Sequence, residues 1–172
     1  VLCLQEGIST EIIKLSIKNF MGINRRMHVL GQLSINNSSC FLVDYYGHHP
    51  TEIKSTIDSI RESFPDKEIN MVFQPHRYTR TNDLFYEFVE VLIEVDNLIL
   101  LDLYSAGETL IKGINSKELM KRILDRGFVK VKILNSSEEI IESLQSQIET
   151  DSILIMQGAG NISNISLEIK ER

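Results

Sequence analysis

Residues 40–50, CFLVDYYGHHP, change from an apolar run to a polar turn and end in a proline. The run Cys40–Tyr45 has the length and composition of a buried β-strand. Pro50 suits the first turn of a helix, where a backbone N–H has no partner within the helix. Ile53 and Ile57 then follow at helical spacing. The stretch therefore predicts a strand, a turn and a helix, which is the first part of a β-α-β unit.

The same alternation continues to the end of the chain. Four more apolar runs of strand length follow, at Ile69–Phe73, Leu98–Leu103, Val129–Leu134 and Ile153–Met156. Amphipathic stretches with helical period separate them, at residues 84–92, at residues 116–127 and from residue 136 onward, and another follows residue 161. Strands that alternate with helices are typical of a parallel sheet covered by helices. We predict the α/β class, with a Rossmann-like, mostly parallel sheet and helices on both faces.

Two helix boundaries have specific sequence signals. Ser136 and Glu139 have the spacing of a capping box, in which each side chain accepts a hydrogen bond from the other residue's backbone N–H. Gly127 follows the helix that begins near Ser116 and suits a left-handed C-terminal cap. These signals predict a start at Ser136 and a stop at Gly127.

The first forty residues break the alternation, so we expect them to lie outside the repeating α/β unit. Apolar residues at helical spacing predict a helix from about Ser9 to Gly22, and a strand is predicted at Arg25–Leu30, followed by a turn at residues 35–39. A lone helix with an apolar face needs a neighbour. We therefore expect it to be the tail of a preceding domain.

Composition excludes several classes of protein. The 172 residues carry a net charge of −6, whereas a nucleic-acid-binding domain usually has a basic face. No apolar run approaches the roughly 18 residues of a membrane span. Cys3 and Cys40 are too few for a disulfide framework or a cysteine-based metal site. We expect a cytoplasmic protein that binds neither nucleic acid nor a membrane.

Polar residues are concentrated after the predicted strands. They occupy residues 44–52, 74–81, 104–108 and 157–161, and include three of the four histidines. The carboxyl ends of parallel strands meet at one edge of a sheet, where ligands bind in α/β proteins. This clustering predicts a binding crevice at that edge.

Arg77 and Arg80 are the residues of this edge best suited to an anion. Each guanidinium presents a planar fork of donors, so a pair could clamp a carboxylate or a phosphate. Two solvated surface arginines are the alternative. Their position after a strand, beside His76, favours the clamp.

Three other features are less specific. His48 and His49 could bind substrate or form a helix-entry turn, and metal ligation is disfavoured because adjacent side chains diverge. Residues 158–160, Gly-Ala-Gly, lack the third glycine of a dinucleotide fingerprint and favour a simple tight turn. Residues 104–108 could equally line a pocket or turn the chain. No phosphate-binding loop of the form GxxxxGK[ST] occurs in the sequence.

Four motifs together resemble the Mur ligase family in order and spacing, in the form of its alanine-adding members. They are YGHHPTE at 46–52, FQPHRYTRT at 73–81, SAGE at 105–108 and QGAGNI at 157–162. The resemblance implies that residues 1–24 end a central ATPase domain and that residues 25–172 form the Rossmann-like, amino-acid-binding C-terminal domain. It also implies an ATP-dependent ligase of peptidoglycan synthesis that joins L-alanine to UDP-N-acetylmuramate through an acyl phosphate. ATP and magnesium would be bound mainly by domains outside this chain, so the chain alone is expected to be inactive.

The resemblance also implies roles for individual residues. Tyr46, His48, Arg77 and Arg80 would hold the alanine, and His76 would support their loop. Arg26 and Asp44 would contact the nucleotide at the domain junction. The family usually has two acids before Tyr-Gly-His, whereas this chain has Asp44 followed by Tyr45. That departure weakens the expected contribution to ATP binding.

Two other functions are compatible with the sequence. A sister ligase that attaches a preformed peptide to the same sugar nucleotide shares His-His-Pro-Thr, although residues 74–81 have the form found in alanine ligases. A non-catalytic module could instead use the crevice to bind a small carboxylate or a nucleotide.

Overall fold

A six-stranded mixed sheet forms the centre of the molecule. The structure is a computed structural model that describes residues 2–20, 23, 25–148 and 150–171. Its strands are β1 (His28–Ile35), β2 (Ser38–Tyr45), β3 (Glu68–Phe73), β4 (Asn97–Leu100), β5 (Val131–Ile133) and β6 (Ser152–Gln157). The order across the sheet is β1-β2-β6-β3-β4-β5. Strand β1 is antiparallel to β2, and all the remaining neighbouring pairs are parallel. The predicted class and the mostly parallel sheet are confirmed.

Helices cover both faces of this sheet, as predicted. They are α1 (Leu2–Gln5), α2 (Thr10–Lys18), α3 (Pro50–Ser63), α4 (Tyr78–Asp83), α5 (Phe85–Leu92), α6 (Ser116–Asp125), α7 (Ser137–Gln145) and α8 (Ile162–Lys170). Helices α3, α5 and α6 bury their apolar side chains against one face, whereas α7 and α8 pack on the other. None of the helices in the described ranges is both long and apolar enough to cross a membrane.

The predicted helix signals are present in the structure. Pro50 is in the first turn of α3, and Ser136 and Glu139 form the predicted capping box at the start of α7. Gly127 has a φ of 84°, a left-handed conformation that costs glycine little. These helix ends could be predicted from the sequence because each signal depends only on residues within one turn of the helix end.

Strand β1 corrects one expectation. Its eight residues belong to the sheet rather than lying outside it, and it begins at His28 instead of Arg25. Arg25 and Met27 have positive φ values of 57° and 50°, so this part of the chain is not extended. The predicted turn at 35–39 joins β1 to β2 as a hairpin, with positive φ at both Asn36 and Asn37.

Other boundaries differ by a few residues. β4 ends at Leu100 rather than Leu103. The N–H of Leu101 still donates to the carbonyl of Phe73 in β3 at 2.9 Å, but the N–H of Asp102 donates to Oδ1 of Asn135 in a loop at 2.8 Å. β5 is limited to residues 131–133. Helix α4, directly before α5, was not predicted.

Helix α2 has little cover from the rest of the described chain. Ser9 caps it as predicted, and it ends at Lys18; Gly22, the predicted end, lies outside the described residues. Ile12, Ile17 and Phe20 are all more than half exposed. Its assignment to a preceding domain remains a prediction.

Candidate functional site

The start of α3 fixes the first loop of the crevice. Oε2 of Glu52 accepts hydrogen bonds from the backbone N–H groups of His48, at 2.9 Å, and His49, at 3.0 Å, while Nδ1 of His49 accepts from the N–H of Thr51. Burial alone would raise the pKa of Glu52, but these hydrogen bonds hold it below its ordinary value. His49 is thus a capping residue, and its neighbour His48 faces the crevice loops.

Four rings form a row across the carboxyl edge of the sheet. The centroid of His48 lies 5.3 Å from that of Tyr46 and 5.8 Å from that of His76. The ring of His76 is stacked on Tyr104, with 5.5 Å between centroids and 14° between planes. We call Tyr46, His48, His76 and Tyr104 the ring row. It joins the loops after β2, β3 and β4, as the clustering of polar residues predicted.

Arg25 contacts Tyr46 at one end of the ring row. Its guanidinium carbon lies 5.0 Å from the centroid of Tyr46, its Nε donates to Oδ2 of Asp44 at 3.1 Å, and one terminal nitrogen donates to the carbonyl of Gly158 at 2.7 Å. The N–H of Tyr46 in turn donates to the carbonyl of Arg25 at 2.7 Å. Arg25 therefore connects the chain before β1 to the loops after β2 and β6.

The two candidate clamp arginines have different partners. Nη1 of Arg80 lies 3.2 Å from Nδ1 of His76, whereas Nη1 of Arg77 lies 3.8 Å from Oε1 of Glu108. Glu108 also accepts hydrogen bonds from the backbone N–H and hydroxyl of Thr79, which lower the pKa of its carboxyl group. Arg80 is therefore directed toward the ring row, and Arg77 toward the loop after β4.

The surroundings of His76 favour the neutral form of its imidazole. Burial lowers the pKa of His76, and the positive charge of Arg80 lowers it further. A guanidinium has only donors, so its contact with Nδ1 requires that nitrogen to accept, with the ring proton on Nε2. The site thus presents a neutral imidazole beside fixed positive charge, an arrangement suited to a carboxylate.

The side-chain amides of Gln74 and Gln157 are buried beneath the loops of the crevice. Nε2 of Gln74 donates to Oδ1 of Asn161 at 2.7 Å, and its Oε1 accepts from the N–H of Ile162 at 3.1 Å, which ties the end of β3 to the start of α8. Gln157 is fully buried, and neither polar atom of its amide has a hydrogen-bond partner among the described residues. The sequence showed both glutamines in motifs but gave no sign of their burial.

Gly47 packs closely over Gln157. A Cβ at residue 47 would lie 2.5 Å from Cε1 of Tyr45 and 2.8 Å from Nε2 of Gln157. Only glycine fits here without displacement, which allows the backbone before His48 to approach the sheet.

The two residues predicted to contact the nucleotide, Asp44 and Arg26, differ in burial. Asp44 is only 4% exposed and is paired with Arg25, and its Oδ1 has no hydrogen-bond partner within the part of the chain that the structure describes. Burial raises the pKa of Asp44, while Arg25 opposes that shift. The side chain of Arg26 is exposed. Their roles in nucleotide binding remain predictions. Sequence reasoning missed Arg25, because nothing in the pair Arg25-Arg26 shows which side chain turns inward.

Two kinds of ligand-binding feature are absent from the described part of the chain. No group of three or more His, Cys, Asp or Glu side chains within them could hold a metal ion. The sequence also has no phosphate-binding loop. The donors at the edge are instead arginine, imidazole and phenol groups, which suit an organic anion.

Comparisons with known proteins agree with the motifs. Residues 25–160 match the family model described as Mur ligase, glutamate ligase domain. The UDP-N-acetylmuramate–L-alanine ligase of Buchnera aphidicola subsp. Acyrthosiphon pisum (strain Tuc7) is 42% identical over 173 residues, covering 98% of this chain and 36% of the relative. The same figures hold for the enzyme of strain 5A. The chain therefore spans about a third of the length of these relatives.

Solved structures share the fold. The UDP-N-acetylmuramate-alanine ligase of Thermotoga maritima matches with a TM-score of 0.73 and 21% identity, covering 99% of this chain and 35% of that one. A murein peptide ligase from Psychrobacter arcticus matches with a TM-score of 0.66 and 18% identity, covering 90% and 31%. Since the family model covers most of the chain and the Buchnera relatives match along nearly all of it, the chain belongs to the Mur ligase family.

Proposed function

We propose that this chain is the C-terminal part of an ATP-dependent ligase that joins L-alanine to UDP-N-acetylmuramate in peptidoglycan synthesis. The observation that carries the proposal is the ring row with Arg80 beside it, built from the motifs shared with alanine ligases. The 42% identity to enzymes named for that reaction supports it. The enzyme would act in the cytoplasm.

In this proposal the crevice binds the amino acid. The guanidinium of Arg80 pairs with the alanine carboxylate, and Arg77 joins it by turning away from Glu108. Tyr46 and His48 line the space beside the methyl group. A small space walled by rings disfavours larger side chains through steric clash. His76 keeps Arg80 in place. The amine is then directed at the activated carboxyl group of the sugar nucleotide.

The remaining parts of the enzyme complete the reaction. ATP with magnesium, bound mainly outside this chain, would supply the phosphoryl group that activates the lactyl carboxylate of UDP-N-acetylmuramate as an acyl phosphate, with ADP released. The alanine amine attacks this carbonyl, and phosphate leaves as the amide forms. In this proposal residues 1–24 belong to the central domain, and Arg26 and Asp44 contact the nucleotide at the domain junction. Domain closure brings the amino acid to the acyl phosphate.

The test measures release of ADP and phosphate with ATP, magnesium, UDP-N-acetylmuramate and L-alanine. We expect no turnover by residues 1–172 alone, turnover by the longer protein that contains them, and loss of turnover when residues 25–172 are deleted. Release of ADP and phosphate by the longer protein at a rate that does not depend on L-alanine would refute the proposal. Turnover only with a preformed peptide would instead identify the sister ligase.

Arg80→Ala in the longer protein tests the amino-acid assignment. We expect a higher KM for alanine and little change in the KM for ATP. Arg122→Ala is the matched control, because Arg122 is an exposed arginine of α6 paired with Asp125. Normal alanine kinetics in Arg80→Ala would show that the clamp is wrongly assigned.

A further inference from the structure

We infer that Tyr104 is a positioning residue of the amino-acid site, and that it acts by setting the ring of His76, which in turn fixes the guanidinium of Arg80. The inference rests on the proposed function, because it assigns the orientation of the arginine that would hold the amino-acid carboxylate. It also makes a statement about His76 that can be tested without substrate.

Backbone hydrogen bonds place Tyr104 beside the loop that carries the arginines. The N–H of Tyr104 donates to the carbonyl of Pro75 at 2.9 Å, and the N–H of Arg77 donates to the carbonyl of Tyr104 at 2.8 Å. A parallel bridge thereby joins His76 to Tyr104 outside the main strands. Arg77, at φ 72° and ψ 135°, has a conformation that non-glycine residues rarely adopt, and such backbone persists only where its surroundings hold it.

The ring of Tyr104 then restrains the ring of His76. The two planes are only 14° apart and the centroids are 5.5 Å apart, so the phenol and the imidazole pack as parallel, offset rings. Tyr104 is itself supported by the turn before α8: a Cβ at Gly160 would lie 2.8 Å from Cγ of Tyr104. The glycine lets the turn approach the ring closely, which limits its rotation. Tyr104 is still 41% exposed, so its edge borders the crevice.

The plane of His76 decides where Arg80 points. Nη1 of Arg80 contacts both Nδ1 of His76, at 3.2 Å, and the carbonyl of His76, at 3.4 Å. Rotation of the imidazole about χ2 would turn Nδ1 away and leave only the weaker contact. Stacking on Tyr104 prevents that rotation and keeps Nδ1 facing the arginine.

This role depends on an aromatic ring and not on the phenol hydroxyl. Tyr104→Phe should therefore preserve it, and Tyr104→Leu should remove it at similar volume. Tyr86→Leu is the control, since Tyr86 is an exposed tyrosine of α5 that lies away from the ring row. Urea denaturation of each variant establishes that the fold is retained before other measurements are compared.

The first readout is nitrogen NMR of His76 in residues 1–172. We expect wild type, Tyr104→Phe and Tyr86→Leu to show mainly the Nε2–H form, and Tyr104→Leu to show a mixture of both neutral forms with a higher pKa for His76. An unchanged His76 spectrum in folded Tyr104→Leu would overturn the inference, whatever the function of the longer protein.

The second readout is alanine kinetics in the longer protein. Tyr104→Leu should raise the KM for alanine about 10- to 100-fold, in the range expected when a binding group is displaced by about 1 Å, while Tyr104→Phe should leave it unchanged. In a protein that already carries Arg80→Ala, adding Tyr104→Leu should change the KM for alanine by less than about twofold, because the two residues act through one contact. Independent, multiplicative effects would refute the inference. A protein that never uses alanine, with the NMR result as expected, would refute the proposed function and leave the positioning of Arg80 standing.

Discussion

The Nε of Arg25 lies 3.1 Å from Oδ2 of the buried Asp44, so a residue three positions before β1 forms an ion pair with a carboxylate near the end of β2. Loss of Arg25 would leave a buried acid without its partner. We expect Arg25→Ala to lower the free energy of unfolding by about 1–3 kcal/mol, as measured by urea denaturation.

Arg26→Ala is the matched control for this prediction. Its side chain is exposed, and a surface substitution of this kind should change stability by less than about 0.5 kcal/mol. Asp44→Asn combined with Arg25→Ala should recover part of the loss, because the uncompensated charge is removed. Equal losses in Arg25→Ala and Arg26→Ala would contradict the assignment.

Glu52 should contribute to stability through the loop before α3. Removing its carboxylate leaves the backbone N–H groups of His48 and His49 without their acceptor. Glu52→Ala is expected to cost about 1–2 kcal/mol in thermal or urea unfolding, the usual range for a lost cap. Glu62→Ala, at an exposed position near the end of the same helix, should have little effect. A comparable loss in both variants would indicate a general change in helix propensity instead.

The contribution of Glu52 should depend on pH. Its pKa is lower in the folded chain than in the unfolded chain, so the unfolded state binds more protons in acid. The stabilisation is therefore fully present above the ordinary pKa of a glutamate and is lost as the pH falls through the folded value. The stability difference between wild type and Glu52→Gln, measured from pH 7 to pH 3, should narrow in acid. A constant difference over that range would be inconsistent with the observed hydrogen bonds.

Gly47 should tolerate substitution poorly. Gly47→Ala places a methyl group against Tyr45 and Gln157 and should cost about 1–3 kcal/mol, as overpacking usually does. Gly31→Ala is the control, because a Cβ at that position of β1 meets nothing within 4 Å. Adding Tyr45→Ala to Gly47→Ala removes the nearer contact and should recover part of the loss. Full stability of Gly47→Ala alone would show that the approach is looser than described.

Much of the fold could be predicted because its signals are local. The alternation of apolar runs and amphipathic stretches identified the strands of the parallel sheet, and Pro50, Ser136 and Gly127 marked helix boundaries within a residue or two. β1 was placed wrongly because its start depends on positive φ at Arg25 and Met27, which no pattern in those side chains indicates. Its membership in the sheet depends on pairing with β2, a tertiary property.

The site was predictable in outline for a different reason. Parallel strands bring their following loops to one edge, so Tyr46, His48 and His76 could be expected to meet without knowledge of distances. The partners of individual atoms could not be expected. Arg25 rather than Arg26 turns inward, and Arg77 and Arg80 diverge, because backbone conformation at each residue sets the direction of its side chain.

The position of β6 affects how the crevice is assembled. β6 lies between β2 and β3, so it separates the strands that carry His48 and His76, although it follows both by many residues in the chain. A nascent chain that ends before residue 152 contains every member of the ring row but lacks the strand that sets their spacing. The crevice therefore forms only after synthesis has passed residue 157, the last residue of β6. A nascent chain that stops just before β6 has the ring row residues but not the strand that joins β2 to β3.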